Sequence, residues 1–181
     1  MRKLYILLVL GLFFAGYAVS VQRMETVLAE GKTILLPLAP VDPRALLMGD
    51  YMDLRYTVND RIRNALHEAK AAPGRVDDGA EGLAVLRVRS EPVPQVADFV
   101  RLDDGSPLRD DELYLAYKLR GRRVITAATA YYFQEGSARR YENARFGQFK
   151  IAMNGKTVLV GLCNNEGKLI QPQSSGEKKS Q

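Results

Sequence analysis

The chain contains no tryptophan, which removes one common aromatic anchor without changing the class, and only one cysteine and one histidine, whose scarcity does exclude classes of protein. A lone cysteine cannot close an internal disulfide, so in an oxidising compartment the fold has no covalent staple and rests on packing. His67 is the only imidazole, and it lies between Leu66 and Glu68 at the polar boundary of a helical segment, where a solvated role is expected rather than a triad base. Cys163 ends the apolar run Val158-Leu159-Val160-Gly161-Leu162. A reactive thiol needs an exposed electropositive setting, so a buried, inert one is expected here. No phosphate-cradling loop is present, because Gly74, Gly79 and Gly82 are not followed by a lysine-bearing helix.

Excess charge is scarce too. The formal net charge is +5, but Arg2 and Lys3 belong to the N-terminal flank, and without them 24 basic residues face 21 acidic ones. Arg122-Arg123 and Arg139-Arg140 are short pairs, whereas a nucleic-acid reader needs a broad basic face, so no nucleic-acid partner is expected. The acids Asp50, Asp53, Asp103, Asp104, Asp110, Asp111 and Glu112 form two separate clusters without the alternating oxygen ligands of an EF-hand. They read as turn formers, and neither a metal nor a cofactor is expected.

What the chain does have is a long apolar N-terminus. Leu4 to Val21 is an uncharged run of 18 residues behind Arg2 and Lys3, about 27 Å long as a helix. The positive flank places the first residues in the cytoplasm and everything after Arg23 outside. A cleaved signal peptide is the competing reading, with small residues at Gly16-Tyr17-Ala18 or Ala18-Val19-Ser20. The uncleaved anchor is preferred because the run exceeds the usual h-region of roughly 7–15 residues. Both readings export the domain. Met24 to Glu30 has no helix breaker and Gly31 follows as a C-cap, so the helix continues past the membrane surface.

The exported part suits one domain with a real core, at 46% hydrophobic and 26% charged residues over the whole chain. Lys32 to Leu38 reads as an edge strand cut short by Pro37 and Pro40. Asp42-Pro43 before Arg44-Ala45-Leu46-Leu47 reads as one helical turn leaving through Gly49. From Tyr51 to Val58 the chain alternates, with Met52, Leu54, Tyr56 and Val58 on one face and Tyr51, Asp53, Arg55 and Thr57 on the other. Asn59 is placed to cap a helix to about Ala71, with Ile62, Leu66 and Ala69 as its apolar stripe. Strands are expected at Leu83–Arg89, Val96–Leu102, Glu112–Leu119 and Arg122–Phe133, the last two joined as a hairpin across Arg120-Gly121. A short helix carrying Tyr141 follows over Ala138–Arg145. Asn154-Gly155 joins Phe149–Met153 to Thr157–Leu162 through a type I′ turn. Residues 171–181 have no core-forming side chains and are expected to be disordered.

The stretch Gly49-Asp50-Tyr51-Met52-Asp53-Leu54-Arg55-Tyr56 combines a chain reversal, an acid and an alternating strand. It resembles the motif that names the GDYXXLXY family, with Gly49, Asp50, Tyr51, Leu54 and Tyr56 at the five fixed positions. Tyr131-Tyr132-Phe133-Gln134-Glu135-Gly136 through Tyr141, Arg145 and the last hairpin is similar to that family as well, so the resemblance covers roughly residues 1 to 170. It implies a membrane-anchored bacterial protein without an assigned reaction, often encoded beside polytopic membrane proteins, one of which would be its partner.

The expected architecture is therefore α+β: a mainly antiparallel β sheet or half-open barrel of about eight strands with two short helices, plus an N-terminal transmembrane helix. Its divisions are an anchor with its extension at 1–30, an extracytoplasmic domain at 31–170 and a tail at 171–181. The expected function is a non-enzymatic accessory or interaction module, single-pass in the cytoplasmic membrane with its domain outside. No catalytic residue is assigned. Within the motif, Gly49, Asp50, Leu54 and Tyr56 read as turn and core. Tyr51 and Arg55 lie on the outward face, and with Asp50 and Glu135 they would line a groove that receives a partner segment, for example by strand addition. The alternative is an exported Ser–Lys hydrolase using Ser90, Ser106 or Ser137 with Lys118 or Lys150.

Overall fold

A computed structural model describes residues 2–39, 47–48, 51–69, 79–121 and 123–171. Gly49 and Asp50, most of the helical turn expected before them, and the expected tail beyond residue 171 lie outside the described residues.

The first element is helix α1, Arg2–Glu30. Its stretch Ile6–Glu30 is long and apolar enough to cross a membrane, and none of the apolar window is buried inside the protein. The helix hands over to strand β1 (Lys32–Pro37) at Gly31, whose N–H donates to the Val27 carbonyl at 3.0 Å. Gly31 has no left-handed φ, contrary to the capping expectation. It is a place of close approach, where a Cβ would stand 3.1 Å from the Ile151 carbonyl oxygen, and Lys150 Nζ donates to the Gly31 carbonyl at 3.1 Å.

The rest is mainly antiparallel sheet curled into a half-barrel. Strands β2 (Leu47–Met48) and β3 (Tyr51–Asp53) precede helix α2 (Thr57–Ala69); β4 (Glu81–Val88), β5 (Ala97–Leu102), β6 (Glu112–Arg120), β7 (Arg123–Ile125) and β8 (Ala130–Tyr132) follow. Helix α3 (Ala138–Tyr141) and the hairpin β9 (Phe146–Ile151) and β10 (Thr157–Cys163) complete the chain. The sheets are ordered β1-β9-β10, β2-β3-β8 and β5-β4-β6-β7. Two isolated bridges tie them together: Leu38 with Tyr56 joins the first sheet to the end of the second, and Leu35 with Val96 joins the first to the third. Extra residues in β5, at Val100, and in β10, at Val160, add the local twist that curling needs.

The concave side holds one core, centred on Ile34, Leu36, Tyr56, Ile62, Leu115 and Phe149. Leu35 points the other way and packs with Val96 and Cys163. Strand β1 pairs along its length with β9, is bridged to Val96 at Leu35 on its other side, and is buried on both faces in its middle, which explains three consecutive buried apolar residues.

Three further expectations need correction. The alternation of burial from Tyr51 to Val58 is present, but β3 ends at Asp53 and α2 begins at Thr57. Burial of Tyr56 and its bridge to Leu38 end the extended path there, so Asn59 lies inside the first helical turn and its Oδ1 accepts the Thr126 hydroxyl at 2.6 Å. Val58 and Ile62 are the buried helical residues, with Leu66 packed against the same core, whereas Ala69 is exposed. Second, the run Arg122–Phe133 is two strands in different sheets. Between them the Thr126, Ala128 and Thr129 carbonyls accept from Thr157, Tyr56 and Leu54, so other elements replace the ladder partner. Third, only Gly155 has a positive φ in the last hairpin, at +80°. Its N–H returns to the Ala152 carbonyl at 2.9 Å, giving a four-residue turn closed by a left-handed glycine rather than type I′.

Candidate functional site

The motif divides between interior and surface. Tyr56 is 2% exposed, its hydroxyl donates to the Ala128 carbonyl at 2.8 Å, and its ring meets Phe149 edge-on with centroids 5.5 Å apart. Burial pushes the phenol well above its ordinary value and keeps it a neutral donor. Leu54 is buried, and its N–H donates to the Thr129 carbonyl at 2.8 Å. These two residues clamp the segment between β7 and β8 onto the motif.

Tyr51 is half-buried and sits opposite Tyr132 in the β3–β8 pairing. Their rings are tilted by 38° with centroids 5.7 Å apart, and Tyr132 is 76% exposed. Among the described residues no strand pairs with the other side of β8, which ends its sheet. Arg55 is exposed and donates from Nε to Asp53 Oδ2 at 3.4 Å, a local ion pair in solvent. Glu135 is exposed in the turn after β8, where the Ser137 N–H donates to the Gln134 carbonyl at 3.0 Å. Strand pairing thus brings Tyr51 to the strand that leads into Glu135, and Arg55 follows β3 beyond its end.

Tyr132 was not among the residues read from the sequence as a site. Its signal was the aromatic triplet Tyr131-Tyr132-Phe133, whose outer members turn inward. Tyr131 meets Tyr141 edge-on at 5.2 Å, and Phe133 stacks on Tyr141 at 5.1 Å. Burial first, and then the contact with Tyr141, push the Tyr131 phenol up to about 12. The middle tyrosine faces solvent because successive strand side chains alternate.

The lysines considered for hydrolysis are engaged elsewhere. Lys118 pairs with Glu81 and Lys150 with the Gly31 carbonyl. Ser90 and Ser106 are exposed, while Ser137 is buried, its hydroxyl without a hydrogen-bond partner among the described residues. No serine–lysine hydrogen bond occurs among the described residues' side-chain bonds. Burial pushes the Cys163 thiol up to about 11, consistent with an inert sulfur. His67 is exposed in the last turn of α2. The acids at 103 and 104 hold their own turn, accepting from the N–H groups of Gly105 and Ser106 at 3.1 and 3.0 Å.

Comparison with known proteins matches residues 13–162 to the family described as GDYXXLXY protein. No curated protein and no solved structure matches the chain.

Proposed function

This chain belongs to the GDYXXLXY family, and from that premise we propose that it is a membrane-tethered extracytoplasmic module that binds an integral-membrane partner. The observation that carries the reading is the end of the β2-β3-β8 sheet. There, Tyr132 stands exposed over Tyr51 beside a strand edge that no described strand covers. An open edge offers backbone donors and acceptors to an added strand, and neighbouring aromatic rings give such a strand its side-chain contacts. The apolar helix supports the tether, and the basic flank ahead of it supports an inside N-terminus with the half-barrel outside. In this reading residues 1–30 are the anchor with its extension, residues 31–170 are the partner-binding domain, and Arg55 and Glu135 border the docking edge.

The test is to fractionate cells carrying a C-terminally tagged chain, apply protease from outside, and crosslink from a photoreactive residue at the exposed position 134, just past the β8 edge. The expected result is a membrane-bound, externally cleaved chain joined to one integral-membrane protein, with capture lost in Tyr51→Ala and Tyr132→Ala. A freely soluble product, or capture that ignores both substitutions, overturns the reading.

A further inference from the structure

Two ring contacts among the described residues join tyrosine to tyrosine, and they differ in access. Tyr131 meets Tyr141 against the core, where Tyr141 is 1% exposed. Tyr51 and Tyr132 meet on the outward face, where Tyr132 is open to solvent. The strand register explains the outer pair. Tyr51 and Tyr132 are direct partners in the antiparallel β3–β8 ladder, and directly opposite residues point to one side of the sheet with Cβ atoms about 4.5–5.5 Å apart. Identical side chains leaving such a pair extend to similar heights, which sets one phenol beside the other, with centroids 5.7 Å apart and planes tilted by 38°. No described strand lies beyond β8, so a reagent reaches Tyr132 from the open edge.

Two phenols held side by side have a reaction open to them. Each gives up one electron and its hydroxyl proton, and the two phenoxyl radicals join through ring carbons next to the oxygens. The hydrogens on those carbons then move to the oxygens. A carbon–carbon bond has formed, both phenols are regenerated, and two electrons and two protons have left. Hydrogen peroxide, acting through a one-electron oxidant of the peroxidase class, takes them up as two waters.

We propose that Tyr51 and Tyr132 are such a coupling pair, joined by peroxidase-type oxidation into a covalent staple between β3 and β8. This link is available where a disulfide is not, since the one cysteine is buried and free. It closes the chain from residue 51 to residue 132, and closing so long a loop restricts the unfolded state. The staple does not depend on the docking role of the β8 edge, because it needs only the register and access to oxidant.

The experiment treats the full chain, purified in detergent micelles, with a haem peroxidase and limiting hydrogen peroxide, and reads its digested peptides by mass spectrometry. The expected product is a monomeric chain whose peptides carrying residues 51 and 132 are joined with loss of two hydrogens. Its yield should exceed that of any other tyrosine pair on the order of tenfold, because fixed proximity favours one partner. Tyr51→Phe and Tyr132→Phe keep the rings but each removes a phenol, and each should abolish the joined peptide. Resistance of the Cys163 thiol to alkylation, taken before oxidation, confirms that the variants are folded. A second comparison, with and without urea, uses a photochemical one-electron oxidant, which needs no folded enzyme. Urea should remove the preference for this pair, because unfolding dissolves the register that aligns the rings, and the coupled chain should unfold at a higher urea midpoint than the untreated one. A folded chain that yields no joined peptide overturns the proposal. So do equal yields with and without urea, products that join separate molecules, or coupling spread evenly over the other tyrosines.

Discussion

Tyr51 and Tyr56 are fixed positions of one motif, yet they answer to different physics. Replacing Tyr56 by Phe keeps the ring against Phe149 but leaves the Ala128 carbonyl without its donor. The expected loss is about 1–3 kcal/mol of unfolding free energy, read from urea denaturation. Tyr51→Ala should cost less stability and act on partner capture instead. Glu112 carries a pH signature. Its side chain is 4% exposed, with Arg87 Nη2 on Oε1 at 3.0 Å and the Arg109 N–H on Oε2 at 3.3 Å. Desolvation raises its pKa, but the Arg109 N–H and the Arg87 guanidinium, aided by Arg101, outweigh it and hold the carboxyl below the ordinary glutamate value. Its contribution is complete above the unfolded value of about 4.3 and disappears as pH falls through the lower folded one. Glu112→Gln should lower the melting temperature at pH 7 and flatten its decline between about pH 5 and pH 3, measured by thermal scans. An equally steep decline in the variant would remove Glu112 as a source of acid sensitivity.

Among the elements, the last hairpin depends most on a single residue. Gly155 has φ +80°, and a Cβ there would lie 2.6 Å from the Ala116 amide nitrogen, where the Ala116 N–H donates to the Gly155 carbonyl. Gly155→Ala should lose about 1–3 kcal/mol from backbone strain alone, and more from the clash with β6, as a shift of the urea midpoint. Asn154→Ala should cost less, since Asn154 needs no left-handed φ and only its Oδ1 bond to the Lys156 N–H at 3.1 Å is lost. The hairpin was legible because Asn-Gly marks a reversal, but the turn type was not, since it depends on how the tip packs over β6. Helix α2 was legible from the spacing of Ile62 and Leu66. Its start was not, because the bridge between Leu38 and Tyr56 sets it across the fold. The same holds for β7 and β8, whose composition is continuous strand but whose carbonyls are claimed by Leu54, Tyr56 and Thr157.

For the molecule as a whole, closure of the half-barrel can be read at one atom. Cys163 is 0% exposed between β1 and Val96, and burial raises its thiol to about 11. In native protein at pH 8 it should resist alkylation, and it should react at the rate of a free thiol once urea opens the domain. Rapid labelling without urea would mean that β10 parts from its neighbours under native conditions. The amino-acid sequence by itself determined the apolar helix, the antiparallel character of the domain and the inward face of the motif stretch, Met52, Leu54, Tyr56 and Val58. Hydrophobic run length and period-two alternation are local properties, written wherever the chain is cut. Only the tertiary structure decided that Tyr51 meets Tyr132 and that α2 starts at Thr57. Each of these follows from pairing between segments far apart in the chain, where hydrogen-bond partners and burial outweigh what any local stretch prefers.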